Sequence, residues 1–151
     1  MANLPLLILG THNAKKGKEL VELLDPLPLT VQTLADYPEA LHVVEDGDSF
    51  AENATKKACQ QAVHLSGWVL GEDSGLCVDA LDGAPGIYSA RFAGPQAKDP
   101  ENNGLLIERL TDVPTDRRHA HYVCHAVLSD PTGTIQGSTT GKCHGRIRCE
   151  E

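Results

Sequence analysis

The sequence has few aromatic residues and no long hydrophobic run. Phenylalanine, tryptophan and tyrosine make up 4% of the 151 residues, so a platform on which nucleic-acid bases stack would have to be small. No apolar stretch approaches the roughly 18 residues that a membrane-spanning helix needs. No signal-peptide pattern follows Met1. These absences predict a cytoplasmic protein with no membrane partner.

Positive charge is also scarce. The chain carries 13 lysines and arginines against 21 acidic residues, a net charge of −8. A nucleic-acid-binding surface usually needs a basic stripe, so we expect no nucleic-acid partner. One phosphorylated small molecule is still compatible with this balance, because a few lysines and a metal ion can reverse the local field.

The cysteines do not form a recognisable framework. There are five of them, with no C-x-x-C pair, which favours free thiols in a cytoplasmic protein. A zinc site from Cys143, His144 and Cys149 is disfavoured, because its spacing matches no common zinc module.

Apolar periodicity predicts an α/β protein. Apolar and β-branched runs indicate strands, and the S-x-x-E capping box Ser49–Glu52 begins the clearest helix, which Gly67 should end. Asp99 and Pro100 should cap another helix. The resulting order predicts one domain, 1–151, with three layers and a mixed sheet. The predicted strands are 4–9, 29–33, 68–70, a return strand 76–80 after a turn at Ser74–Gly75, and a hairpin of 119–128 with 133–142; the predicted helices are 16–24, 49–66 and 99–110.

One candidate site is the polar segment 11–16 between the first strand and the first helix. The backbone N–H groups at a helix N-terminus bind anions, and lysine adds a charge suited to phosphate. It is not a Walker A loop, because G-x-x-x-x-G-K-[ST] is absent. The alternative is a polar turn with solvated lysines. The segment consists of Thr11, His12, Asn13, Ala14, Lys15 and Lys16.

A second candidate comprises the acids Glu45 and Glu72–Asp73. Mg²⁺ prefers oxygen ligands and usually takes one or two protein carboxylates, with water and substrate phosphate completing its shell. Open α/β sheets bind ligands at the edge where such strand ends meet. The alternative is a solvated acidic turn at Glu45 and an Asx-type turn at Asp73 that bonds Gly75.

Together these segments resemble the inosine triphosphate pyrophosphatases, also called Ham1-like proteins. The first block is T-x-N-x-x-K-x-x-E, formed by residues 11–19, and the second is F-A-E-N-A with K-A, at 50–54 and 57–58. The third runs from E-D-S-G-L at 72–76 to G-A-P-G-I-Y-S-A-R at 83–91. Order and spacing agree throughout the chain.

The resemblance implies a mixed sheet with two lobes and a cleft. It implies a homodimer that uses Mg²⁺ to hydrolyse ITP, dITP and XTP to the monophosphate and pyrophosphate, which cleanses the nucleotide pool. By position, residues 11–16 would hold the triphosphate, and Ser74 would contact substrate. Glu45 would bind the metal, and Asp73 would bind the metal and act as general base.

The chain departs from this family in one respect. Family members usually continue for some fifty residues with a G-F-G-Y-D-P-type loop and an S-H-R motif that hold the base, and neither motif is in this sequence. Two alternatives therefore accompany the prediction. One is a nucleotide-binding fragment with impaired catalysis, and the other is a Maf-like pyrophosphatase that prefers other nucleotides.

Overall fold

The computed structural model describes residues 3–150, which form an α/β fold around a five-stranded sheet. Its strands lie in the order β2-β1-β3-β4-β5. Among the described residues, no helix is long and apolar enough to cross a membrane. The elements are β1 Leu6–Leu9, α1 Ala14–Leu24, β2 Thr30–Thr33, α2 Phe50–Leu65, β3 Val69–Val78, α3 Asp99–Arg109, β4 His119–Ser129 and β5 Ile135–Arg146.

The chain divides into two compact units, and the first comprises residues 3–73 and 125–139. In this unit β1 pairs in parallel with both β2 and β3. Parallel pairs require crossover connections, and α1 and α2 lie in these two connections. The core of the unit includes Ile8, Leu34, Ala62 and Val69, all buried.

Helix α2 packs very closely on β3 at Gly71. A Cβ atom at this position would lie 2.5 Å from the Ala58 backbone nitrogen and 2.7 Å from the Ala54 carbonyl oxygen. Only a residue without a side chain fits there. Ala54 and Ala58 are fully buried and form a cluster with Val127, so small residues on both elements set the distance between helix and strand.

The second unit comprises residues 74–124 and 140–150. Its core includes the buried side chains of Val78, Leu106, Leu110 and Ala120. Arg118 is also buried, and its guanidinium donates to the carbonyl oxygens of Leu110 (2.7 Å) and Val113 (2.9 Å). It thereby satisfies carbonyl groups just after α3, where no further helical turn is present to do so.

The predicted turn at Ser74–Gly75 is wrong. A single strand, β3, runs from Val69 to Val78 through both residues. Gly75 is buried within it. Pairing of this stretch in the middle of the sheet outweighs the turn preference of the dipeptide, because strand formation depends on neighbours more than on local propensity. The separate return strand 76–80 therefore does not exist.

The capping predictions need three smaller corrections. Ser49 accepts a hydrogen bond from the Glu52 N–H (3.1 Å) as expected, but the Glu52 carboxylate accepts from Asp48 (2.7 Å). The last residue of helix α2 is Leu65, and its C-cap is Ser66, which adopts the left-handed conformation that was expected of Gly67. Helix α3 has Lys98 as its N-cap, one residue before the predicted Asp99.

Most of the remaining order matches the prediction. The two early strands, the helices and the late pair β4 and β5 lie within a few residues of the expected bounds, and the α/β fold with a mixed sheet is confirmed. The single domain and the cleft stay predictions.

Candidate active site

The site is built around Asp73, a carboxylate in the interior of β3. Asp73 is 8% exposed, and the neighbouring Glu72 is 6% exposed. Strand β1 pairs with β3 only as far as Leu9 and Leu70, and the Gly10 N–H donates to the Leu70 carbonyl (2.8 Å). Asp73 therefore lies about 10 Å past the end of this pairing. It lies beyond the carboxyl end of β1, the strand that leads into residues 11–16.

A lysine of α2 joins the predicted acidic residues. The Lys57 ammonium forms ion pairs with Glu45 and with Asp73, the latter at 3.6 Å from Oδ1. It also donates to the Glu72 backbone carbonyl at 3.1 Å. The structure thus brings Glu45 and Asp73 to one positive charge, that of Lys57, and their role as metal ligands stays a prediction.

Asn53 holds the other oxygen of Asp73. Its Nδ2 donates to Asp73 Oδ2 (3.2 Å), and its Oδ1 accepts from the Gly47 N–H (2.8 Å). The Asn53 side chain is 1% exposed, so both amide atoms need partners inside the protein. This amide fixes the Asp73 carboxylate and the segment that carries Glu45 relative to the same helix.

The environment makes Asp73 a stronger base than an ordinary aspartate. Burial raises its pKa, and the negative charges of Glu45 and Glu72 add to the rise. The Lys57 charge and the Asn53 hydrogen bond oppose it, but the pKa remains raised overall. A carboxylate whose pKa is raised holds a proton more firmly, as a general base must.

The segment 41–48 is attached to α2 through side chains at four-residue spacing. Asn53 binds Gly47, Lys57 binds Glu45, and Gln61 binds both backbone groups of Leu41 at 2.9 Å. Residues four apart lie on one face of a helix. This polar stripe along α2 gives an otherwise irregular segment a defined path.

The predicted triphosphate loop, residues 11–16, has its own internal hydrogen bonds. Asn13 is the N-cap of α1 and accepts from the Lys16 N–H (3.1 Å), while its own N–H donates to the Thr11 hydroxyl (3.1 Å). The side chains of Thr11 and Asn13 therefore shape the loop. The first N–H groups of α1, from Ala14 and Lys15, have no intrahelical acceptor and can bind an anion.

The remaining predicted residues lie in the loop 11–16 and in β3. Lys15 is exposed, and Lys16 pairs with Glu19 at 3.6 Å. His12 belongs to the loop and lines a cavity of about 480 Å³ beside α1. Ser74 follows Asp73 in β3 but belongs to the second unit, where it lines a separate cavity of about 320 Å³.

The donor set fits a hard cation bound by few protein ligands. Among residues 3–150 no group of three or more histidine, cysteine or acidic side chains could enclose a metal ion. The pair Glu45 and Asp73 offers carboxylate oxygens that already converge on the Lys57 charge. Two carboxylates, with water and phosphate as the other ligands, suit Mg²⁺.

Asn53 and Lys57 contact the predicted site residues, although the sequence patterns assigned neither of them a role. Both are letters of the second motif, and their spacing carries a further signal. They occur at i and i+4 on α2, next to the buried alanines 54 and 58. Polar side chains beside the small-residue face of a helix must find partners in the interior, which points to the neighbouring acidic strand.

The chain belongs to the Ham1 family, which it matches over residues 7–151. It is 53% identical over 144 residues to a dITP/XTP pyrophosphatase of Rhodopirellula baltica, a match that covers 95% of this chain and 69% of the relative. A dITP/XTP pyrophosphatase of an Exiguobacterium strain is 49% identical over 138 residues, covering 89% of this chain and 69% of that protein.

Solved structures agree with this assignment. A HAM1 protein from Coxiella burnetii superposes with a TM-score of 0.87 at 30% identity, covering 97% of this chain and 75% of the other. The Ham1 protein of Staphylococcus aureus gives a TM-score of 0.81 at 31% identity, covering 96% and 73%. The resemblance drawn from the motifs is confirmed, and the roles of the individual residues stay predictions.

Proposed function

We propose that this protein hydrolyses the deaminated purine nucleotides ITP, dITP and XTP to the monophosphate and pyrophosphate. The relatives named dITP/XTP pyrophosphatase support the reaction class, a hydrolysis of acid anhydrides. The observation that carries the mechanism is the buried Asp73, held between Lys57 and Asn53 in the part of β3 that extends beyond its pairing with β1.

The loop would bind the triphosphate. The N–H groups at the start of α1 and the charges of Lys15 and Lys16 are suited to phosphate oxygens. Lys57 would add a third positive charge beside Glu45 and Asp73, with which it pairs. Ser74 would contact the substrate, as its position in the family motif implies.

Glu45 and Asp73 would hold Mg²⁺. When bound, the ion supplies positive charge that neutralises phosphate oxygens. Phosphoryl transfer depends mainly on such neutralisation and on positioning. Lys57 provides the counter-charge for both carboxylates in the structure described here, so an arriving ion would share that task with it.

Asp73 would act as general base. It would take a proton from the water that attacks the α-phosphorus, the bond between the α- and β-phosphates would break, and pyrophosphate would leave. The Asn53 amide donates to one oxygen, Oδ2, and so orients the carboxylate. The raised pKa matches this role, because the carboxylate must both ionise and accept a proton near neutral pH.

Two further proposals concern the oligomeric state and the cellular location of the enzyme. We propose a homodimer in the cytoplasm, where the nucleotide pool is the substrate source. The net charge of −8 supports a small-molecule partner and no nucleic acid.

The test is to incubate the protein with ITP and Mg²⁺ and to identify the products. We expect IMP and pyrophosphate in equal amounts. Release of inorganic phosphate alone would indicate a different scission, and the proposed attack at the α-phosphorus would be wrong.

A nucleotide panel separates the alternatives. Preference for dTTP or UTP over ITP would favour the Maf-like activity. Triphosphate binding by calorimetry without turnover would favour a binding protein.

A further inference from the structure

His12 and His42 form a stacked pair of rings. Their centroids are 4.0 Å apart and the planes differ by 11°. His12 belongs to the loop 11–16, and His42 lies three residues before Glu45 in the segment 41–48. The stack therefore connects the loop that would hold the triphosphate to the segment that would hold the metal.

A hydrogen bond fixes the His12 ring in this stack. His12 Nε2 lies 2.8 Å from the Leu41 carbonyl oxygen. A carbonyl oxygen can only accept, so Nε2 carries the proton and donates it. One bond and one stacked face together define the position and orientation of the His12 side chain.

Leu41 is itself held firmly from α2. The Gln61 amide accepts from the Leu41 N–H and donates to the Leu41 carbonyl, both at 2.9 Å. Gln61 is 1% exposed, so its amide is surrounded by the core of the first unit. The Leu41 carbonyl thus has two donors, Gln61 from the helix and His12 from the loop.

We propose that His42 is a positioning residue for triphosphate binding. By stacking on His12 it holds the loop 11–16 in the conformation that presents the α1 N–H groups, with Leu41 and Gln61 as the fixed support. This inference rests on the proposed function, since it assumes that the loop binds the triphosphate. A loop that is ordered before binding binds the triphosphate more tightly, because less conformational entropy is lost upon binding.

The proposal predicts which kinetic quantity changes. Phosphate contacts made by the loop are present in the bound substrate and persist in the transition state. Loosening the loop should therefore raise KM and leave kcat nearly constant. A defect in the acids around Asp73 would lower kcat, so the two kinds of damage can be told apart.

The experiment compares His42→Ala with His42→Phe. It measures binding of inorganic tripolyphosphate by calorimetry and hydrolysis of ITP with Mg²⁺. We expect the alanine variant to bind tripolyphosphate roughly 2- to 10-fold more weakly and to show a similar rise in KM, which is the usual worth of one ring pair. Phenylalanine keeps a flat ring against His12 and should restore most of the binding.

His64→Ala provides the matched control. His64 Nε2 lies 2.7 Å from the Glu39 carbonyl oxygen, so this histidine also joins α2 to the chain just before Leu41. It has no ring contact with the loop. We expect tripolyphosphate binding and KM to equal those of the wild type, whatever the change in melting temperature.

The outcomes separate this inference from the proposed function. If the wild type binds tripolyphosphate and the alanine variant binds it equally well, the positioning role is wrong while the function stands. If phenylalanine fails to restore binding, or if His64→Ala weakens it equally, the stack is not the cause. If the wild type neither binds tripolyphosphate nor hydrolyses ITP, the loop is not a triphosphate site and both proposals fall.

Discussion

Replacing Gly71 with alanine tests how closely the site depends on the packing of α2 against β3. The added methyl group would lie 2.5 Å from the Ala58 nitrogen and 2.7 Å from the Ala54 carbonyl oxygen, where ordinary contacts are 3.4–4 Å. Helix and strand must separate by about 1 Å to admit it, because backbone atoms cannot rotate away. Such an opening forfeits roughly a quarter to a half of the dispersion attraction across the buried cluster.

The expected loss in free energy of unfolding is about 1–3 kcal/mol, the usual cost of overpacking a core. For a chain of this size that corresponds to a fall in melting temperature of roughly 2–12 °C. Turnover should suffer as well. Asp73 lies two residues beyond Gly71 and its partners are on α2, and a misplacement of about 1 Å at such a group can cost about 100-fold in rate.

The assay is calorimetric unfolding combined with pyrophosphate release from ITP. Gly137→Ala is the control, since Gly137 lies in a strand of the same unit and a Cβ there would meet nothing within 4 Å. We expect this variant to unfold and to react as the wild type does. A Gly71→Ala protein with the melting temperature and kcat of the wild type would refute the packing argument.

Three further predictions concern the charges of the site. Asp73→Asn should lower kcat by roughly 10²- to 10⁴-fold without lowering the melting temperature, because it removes a buried charge; normal turnover would contradict the role as base. Because Asp73 must be ionised to accept a proton, kcat/KM should fall as pH drops through the pKa of its carboxyl. The Lys57 charge lowers this pKa, so Lys57→Gln should move the midpoint of the profile to higher pH, whereas Lys57→Arg should not. EDTA should abolish turnover, and added MgCl₂ should restore it. The Glu45→Gln variant should need more Mg²⁺ than the wild type to reach half of its maximal rate. If both proteins need the same Mg²⁺ concentration, Glu45 is not a metal ligand.

Local signals in the sequence predict much of the fold. The cap at Ser49 and the alanine periodicity after it define α2, and the turn 130–134 lies where glycine and proline indicate a hairpin. The turn predicted at Ser74–Gly75 is wrong because the prediction used only the local turn preference of that dipeptide. Its neighbours in the sheet, which lie far away in sequence, keep it in a strand.

For the candidate site, the sequence predicts several residues but not how they contact one another. A pattern of acids at strand ends and a polar loop before a helix indicated Asp73, Glu45 and residues 11–16. It could not indicate that one ammonium, from Lys57, joins the two acids. The i, i+4 spacing of Asn53 and Lys57 predicts partners in the interior, but which acids these partners are depends on the crossing of α2 over β3.

The stripe of Asn53, Lys57 and Gln61 along α2 has a consequence for local unfolding. Each of these side chains supports a different part of the site, so fraying of this one helix would release all of them together. Proteins open in cooperative segments at free energies below that of global unfolding. Hydrogen exchange should therefore show the α2 amides and those of Leu41 and Gly47 opening as one unit. Catalysis should therefore be lost whenever α2 opens, because the partners of Asp73, Glu45 and Leu41 leave together.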